Sequence, residues 1–284
     1  MAVWELVAPR RALTANKPLR WASNIGLVFV SSLVLRLVAP VGAVGVALAA
    51  EELGWGLFHT VSAPAWLEIV LSVLLLDFAI YLQHVMFHAV PLFWRLHMVH
   101  HADRDIDVTT GLRFHTLEIL LSLGIKAGII LLLGASAVSV LIFEVLLNAT
   151  SMFNHSNVRM PLGLDRLLRW LVVTPDMHRV HHSHYSNETN SNFGFNLPWW
   201  DRVFGTYRDQ PRDGHSKMTL GLDQFPDKFF TSLLPWMLWI PFAGKTGSYP
   251  INRRDEEPTS NGRHVESMKH NVGSETTVKS RSTI

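Results

Sequence analysis

The 284-residue chain contains no cysteine, which excludes disulfides, zinc–thiolate sites, iron–sulfur clusters and thiol nucleophiles together. Charge is scarce as well. Only 17% of residues are Asp, Glu, Lys or Arg, and 25 basic side chains nearly cancel 23 acidic ones, so the net charge of +2 calls for no nucleic-acid partner. A His-Glu-x-x-His hydrolase motif and a Gly-x-Gly-x-x-Gly dinucleotide fingerprint are missing, and no Glu-x-x-His pair of the soluble di-iron type lies near the histidines. What the chain does have is apolar bulk, with 48% hydrophobic residues, and 15 histidines against 4 tyrosines. Its mean hydropathy of +0.19 is high for a soluble enzyme and points to a membrane protein.

Long apolar runs carry that expectation. Residues 24–50 hold one charge, Arg36, and one kink-prone residue, Pro40; they predict a single tilted or bent crossing, retained because the run is too long for a cleaved signal. Residues 65–90 predict a second crossing that ends in His84 and His88. Residues 117–150 are about twice the length of a short span and are interrupted at Gly134-Ala135-Ser136, which predicts a helical hairpin of two spans or a re-entrant pair. Residues 165–173 and 229–243 are apolar but too short to cross. The fold class expected is therefore an all-α integral membrane protein, with about four transmembrane helices in two hairpins and a helical, histidine-rich cap. Residues 1–23 form an N-terminal segment, 24–248 the membrane-embedded domain, and 249–284 a polar tail with too little apolar surface to fold alone.

Positive charge sets the expected orientation. Arg10, Arg11, Lys17 and Arg20 precede the first span, whereas residues 51–64 contain no Lys or Arg, so the N-terminus is expected in the cytoplasm. Counting crossings then puts the clustered histidines on that same cytoplasmic side.

The histidines fall into arrays. His84 and His88 are four residues apart, and His97-Met-Val-His100-His101 and His178-Arg-Val-His181-His182 repeat one pattern at i, i+3 and i+4. On a helix such spacings put imidazoles one turn apart on one face, where two can reach one ion. Eight histidines exceed the needs of one metal, so a two-metal site is the economical reading. His115 and His155 lie at the ends of the third apolar stretch, on the same predicted surface. A lone histidine is more often surface or satisfied core, the reading given to His59, His215, His264 and His270; His184 carries little weight either. Asp77, Asp103, Glu118, Glu144 and Asp176 are the nearby acids available to orient imidazoles. Asp77 and Glu144 sit inside apolar spans, where an acid is either functional or a helix-packing hydrogen bond. Phe87, Phe93, Trp94, Phe153, Phe193, Phe195 and Trp199 flank the arrays and offer an apolar pocket or an interfacial belt. Lacking a base beside the ligands, the pattern fits oxygen chemistry better than hydrolysis.

The order His84-x-x-x-His88, His97-x-x-His100-His101, Phe114-His115-x-x-Glu118, Asn154-His155, His178-x-x-His181-His182, Asn192-Phe-Gly-Phe and Trp200-Asp-Arg-Val-Phe-Gly-Thr-Tyr207 resembles the fatty acid hydroxylase and sterol desaturase superfamily over roughly residues 65–210. The resemblance implies a multi-pass membrane enzyme that hydroxylates or desaturates a lipid with O2 at two iron ions. It implies His84, His88, His97, His100, His101, His178, His181 and His182 as iron ligands, with His155 added, and His115 either a ligand or a support beside Glu118. It further implies electrons from a separate carrier such as cytochrome b5 or ferredoxin with its reductase. The competing reading of the same residues is a non-catalytic metal-binding or metal-transport membrane protein, which would place ligands at mid-membrane depth.

Overall fold

A computed structural model describes residues 1–243 and 246–251. They contain no named β-strand, only two isolated bridges, and belong to a compact unit, Met1–Arg253. The expected polar tail falls, from residue 252 on, outside the described residues. Tyr249 and Ile251, placed in that tail by composition, are instead folded. Tyr249 stacks on Trp94 at 5.7 Å and donates its hydroxyl to the His184 carbonyl at 2.9 Å, while Ile251 N–H donates to the His88 carbonyl at 2.9 Å.

Among the described residues four segments are long and apolar enough to cross a membrane, and the protein is a multi-pass membrane protein. A short helix α1 (Ala2–Val7) precedes α2 (Lys17–Val38). Helix α2 is capped by Asn16, whose side chain accepts from Leu19 N–H, and Pro18 occupies its first turn. Its 22 residues measure about 33 Å. The expected tilted or bent crossing over 24–50 is bent at Pro40 into two helices: the chain turns at Ala39-Pro40-Val41 and resumes as α3 (Gly42–Leu53), about 18 Å long. Pro40 cannot donate to the α2 ladder and biases Ala39 away from helix, so the run breaks there. A one-turn helix α4 (Leu57–Thr60) leads to α5 (Ala65–Ala89), close to the expected run, and α6 (Pro91–His101) folds back from it at the Val90-Pro91 break.

The long third stretch is a hairpin, α7 (Thr116–Leu133) and α8 (Ala137–Asn154). Gly134 ends α7 in the left-handed region at φ 65°, and the Ser136 hydroxyl starts α8 by accepting from Ser139 N–H. Helix α3 packs on both α7 and α8, and α5 packs on α6, α7 and α8. Outward residues such as Phe29, Leu37, Leu132 and Val145 are exposed, as lipid-facing positions should be. The remaining helices are short: α9 (Leu162–Leu168), α10 (Pro175–His181), α11 (Ser186–Thr189), α12 (Trp199–Phe204), α13 (Gly214–Lys217), α14 (Lys228–Thr231) and α15 (Leu234–Trp239). The 165–173 and 229–243 segments form such short pieces rather than spans.

One end of the bundle is tied together by polar side chains. Arg20, near the start of α2, is fully buried and grips Asp103 through two bonds of 2.8 Å and Asp107 at 2.6 Å. Arg10 reaches Asp176 at 3.0 Å, and Thr14 and Ala15 N–H groups donate to Asp105 at 2.6 Å. The N-terminal 16 residues are thus bonded onto the histidine-bearing end, and the arginines that argued for orientation also serve as internal braces.

Candidate metal centre

The C-terminal end of α5, the first turn of α7 and the end of α8 meet at that same braced end, roofed by α6 and α10. Helix α5 delivers His84 and His88 one turn apart, α6 carries His97, His100 and His101, and His155 caps α8. Thr174, accepting from Met177 N–H, and Pro175 start α10, which carries His178 and His181 and ends on His182.

These nine side chains are all buried and fall into two groups: His84, His88, His97, His101 and His181 in one, His100, His155, His178 and His182 in the other, the ligand atoms of each lying within 4.8 Å of one another. The two His-x-x-His-His motifs are used in opposite senses. In α6 the outer pair, His97 and His101, joins the first group and His100 the second; in α10 the outer pair, His178 and His182, joins the second group and His181 the first. Each motif was expected to present a single face, whereas i+3 and i+4 neighbours diverge enough around a helix to serve two centres.

Ring orientation is set from behind. The Nδ1–H groups of His84, His155 and His181 donate to the carbonyls of Phe193 (2.8 Å), Ser151 (2.8 Å) and Ser191 (2.7 Å). His88 Nδ1 donates to Asn190 Oδ1 at 3.0 Å, and His97 Nδ1 to Glu118 Oε1 at 2.6 Å. With the proton on Nδ1, each Nε2 is a bare lone pair turned inward. His84 and His97 then face each other lone pair to lone pair, their Nε2 atoms 3.1 Å apart. His155 Nε2, also a bare lone pair, lies 3.0 Å from Nε2 of both His100 and His178. The His84–His97 contact repels unless a cation lies between the two nitrogens, and about 3 Å is the edge expected between neighbouring ligands with metal–nitrogen bonds of about 2.1 Å. Nε2 of His88, His101, His181 and His182, and Nδ1 of His100 and His178, are buried without a partner among the described residues. An all-imidazole donor set of this kind suits iron, zinc or copper, and the residues fit a bound metal.

Burial, first, and the neighbouring imidazoles hold His100, His101, His178, His181 and His182 well below the ordinary histidine range, and burial takes His155 down to about 4. The rings are neutral at physiological pH, the form that ligates metals.

His115 lies outside both groups. It caps α7, its Nδ1 accepting from Leu117 N–H at 3.2 Å, and its Nε2 faces the Leu238 carbonyl at 3.3 Å. Of the acids considered, Glu118 alone touches an array histidine. Asp77 accepts from Trp200 Nε1 at 2.8 Å, Asp103 holds Arg20, Glu144 pairs with Lys126 at 2.5 Å, and Asp176 holds Arg10 and Arg179. His215 is buried beside Asp176, and His184 lies 3.1 Å from Asp223. Sequence reasoning named Asn192-Phe-Gly-Phe only as part of the resemblance and did not see that the strap of residues 190–194 orients the imidazoles. Asn192 is the one non-glycine with positive φ among the described residues (54°), held by side-chain bonds to Met177 O and to Arg208 N and O. Asp201 accepts from the N–H groups of Phe193 and Gly194 at 2.7 and 2.8 Å, fixing the carbonyl that orients His84. The Asn192-Phe-Gly-Phe and Trp200–Tyr207 motifs were its sequence signals.

Below the histidines lies a cavity of about 540 Å³ between α2, α3, α5, α7 and α8. Its wall includes Glu118, Phe114, which stacks on His100 at 4.4 Å, and Phe195, 6.4 Å from His155 and His178.

Comparison with known proteins agrees with this geometry. Residues 69–206 match the fatty acid hydroxylase family model. Ornithine lipid hydroxylase OlsE of Rhizobium tropici is 30% identical over 195 residues, covering 68% of this chain and 56% of that one. Alkylglycerol monooxygenase of Xenopus tropicalis is 30% identical over 198 residues, covering 68% and 42%. Delta(7)-sterol-C5(6)-desaturase of Nicotiana tabacum is 28% identical over 181 residues, covering 59% and 61%. The chain spans about half the length of the curated relatives it matches. No solved structure matches. Through residues 69–206, which hold every histidine of the two groups, the chain belongs to the fatty acid hydroxylase family.

Proposed function

We propose that the protein is an O2-dependent lipid hydroxylase or desaturase whose two irons are held by His84, His88, His97, His101 and His181 and by His100, His155, His178 and His182. The observation that carries this reading is the convergence of inward imidazole nitrogens, at about 3 Å from one another, in two separate, wholly buried groups directly behind a membrane-embedded cavity. The names of the relatives, which are lipid hydroxylases, a monooxygenase and a desaturase, support a lipid as substrate.

Bound iron would supply the activation of O2 that breaking an unactivated C–H bond requires. The chain's own residues prepare for that chemistry. Phe193, Ser191, Ser151, Asn190 and Glu118 hold the imidazole protons outward, so each ring presents a lone pair without reorganisation. Phe114 and Phe195 cover the inward side and keep bulk water from it. The cavity holds the lipid between the spans, within reach of the histidine end. The histidine end faces the cytoplasm in this reading, on the strength of the basic residues that precede α2, and electrons arrive there from a separate carrier of the cytochrome b5 or ferredoxin class with its reductase.

Lipidomics of cells with and without the gene tests the proposal. The expected result is a lipid species shifted by one oxygen or by two hydrogens, absent when His181→Ala replaces the wild type. Equal product from both would sink it, as would purified wild type carrying no iron.

A further inference from the structure

The wall of the cavity is more polar than an acyl chain needs. Glu118, Ser122 and Lys126 follow one another at four-residue spacing on α7, so they line one face over about 12 Å, from the histidine end to the middle of the span. Across from them, α8 contributes Glu144 and Asn148, and Lys126 Nζ meets Glu144 Oε1 at 2.5 Å. Charged side chains at mid-span are among the costliest a membrane helix can carry and mark sites that handle polar groups. Two acceptors in this wall have no partner among the described residues. Gln83 is 9% exposed, and its Nε2 donates to Ser122 Oγ at 3.0 Å, which fixes the amide and leaves Oε1 bare. Glu118 is 4% exposed, and the bond to His97 leaves its Oε2 bare. Both are buried acceptors, so what satisfies them must donate, as a hydroxyl, an ammonium or an amide N–H does. The opposite end of the cavity is apolar, lined by Leu35, Val41, Ala43 and Val44.

We infer that the cavity binds an amphipathic lipid with its hydroxyl- or amine-bearing headgroup against Gln83, Glu118 and the Lys126–Glu144 pair and its hydrocarbon toward Val41–Val44, so that the carbon presented to the histidine end lies in or next to the headgroup. The assignment rests on the lipid-oxidation reading and names the substrate class and the region attacked. A hydrocarbon tail alone would leave both orphan acceptors unsatisfied, at a cost that a donor-bearing headgroup avoids.

Equilibrium binding to the purified full-length protein in detergent, with and without iron, tests it with two probes, 1-monooleoylglycerol and 1-octadecene. Wild type should prefer monooleoylglycerol by about tenfold or more, the worth of one well-made hydrogen bond. Gln83→Leu, and separately the apolar pair Lys126→Leu with Glu144→Leu, should each reduce that preference severalfold while leaving the iron content at the wild-type level. Gln83→Met, which keeps side-chain length, serves if a leucine variant loses its iron. Equal affinity for the two probes in wild type, or a preference unchanged in every variant, overturns the inference and leaves the acceptors to water. Binding needs no turnover, so the two readings fail separately. Selective binding with no lipid oxidised in cells would refute the reaction and not the site, whereas a product oxidised near the methyl end of an acyl chain would refute the site and not the reaction.

Discussion

His97 Nδ1 and Glu118 Oε1 lie 2.6 Å apart, a buried bond between α6 and the first turn of α7 that fixes the ring of His97 and turns its Nε2 inward. Removing such an outer partner typically lowers metal affinity about 10- to 100-fold. Glu118→Ala should therefore lose iron to a chelator at correspondingly lower chelator concentration, with Glu118→Gln between it and wild type. Unchanged chelator resistance in Glu118→Ala would show that the carboxylate does not orient the ring.

His100 and His101 are adjacent in the chain and belong to different groups. His100→Ala and His101→Ala should each reduce the iron content toward one per chain, and the double variant should hold almost none. His115→Ala should retain the wild-type content, because its nitrogens are committed to Leu117 and Leu238. Elemental analysis of the purified proteins decides, and a His115→Ala protein stripped of one iron would return that residue to the ligand set.

Asp201 touches no histidine, yet it holds the strap whose carbonyls orient His84 and His181. Asp201→Ala should weaken iron retention and leave the spans folded. Its far-ultraviolet circular dichroism is expected to match wild type while its chelator titration shifts.

Arg20→Met would leave Asp103 and Asp107 buried without their shared cation. Breaking one side of a buried ion pair costs about 3–5 kcal/mol. Thermal unfolding in detergent should drop markedly, and a midpoint within a degree or two of wild type would mean that the network contributes nothing net.

His215 is buried, and burial takes it down to about 3 despite Asp176 nearby. Because the folded value lies below the unfolded value of about 6.5, its neutral form costs nothing above that pH. Stability is then lost as pH falls from about 6.5 toward 3, and by pH 5 the loss from this one group reaches up to about 2 kcal/mol. His215→Leu should shrink the fall in unfolding midpoint between pH 7 and pH 5, and an identical fall in both proteins would contradict the assignment.

Much of this architecture was legible in the chain. The run 65–90 nearly coincides with α5, the Gly134-Ala135-Ser136 interruption separates the hairpin helices, and the arrays named eight of the nine clustered histidines, His155 being added from its place at the end of the third apolar stretch and from the resemblance. The start of α2 at Lys17 was not legible, because Arg20 looks like a surface charge until Asp103 and Asp107, more than 80 residues away, arrive beside it. Nor was the division into two groups, since spacing along one helix says how rings are arranged on that helix and nothing about where neighbouring helices cross it. The outer supports were least visible of all. Phe193, Ser191 and Ser151 act through backbone carbonyls, and a carbonyl has no signature in side-chain identity.

The opposed use of the two His-x-x-His-His motifs makes α6 and α10 act together as a ruler. Each helix has one hand in either centre, so the separation of the centres is written in the fixed rise and rotation of two short helices rather than in flexible loops. A rigid shift of one helix disturbs both centres at once, and neither can be widened alone without unwinding a turn. In the proposed reading, damage to one motif is therefore felt at both metals, and a lipid drawn against the cavity wall meets a pair of centres whose spacing it cannot change.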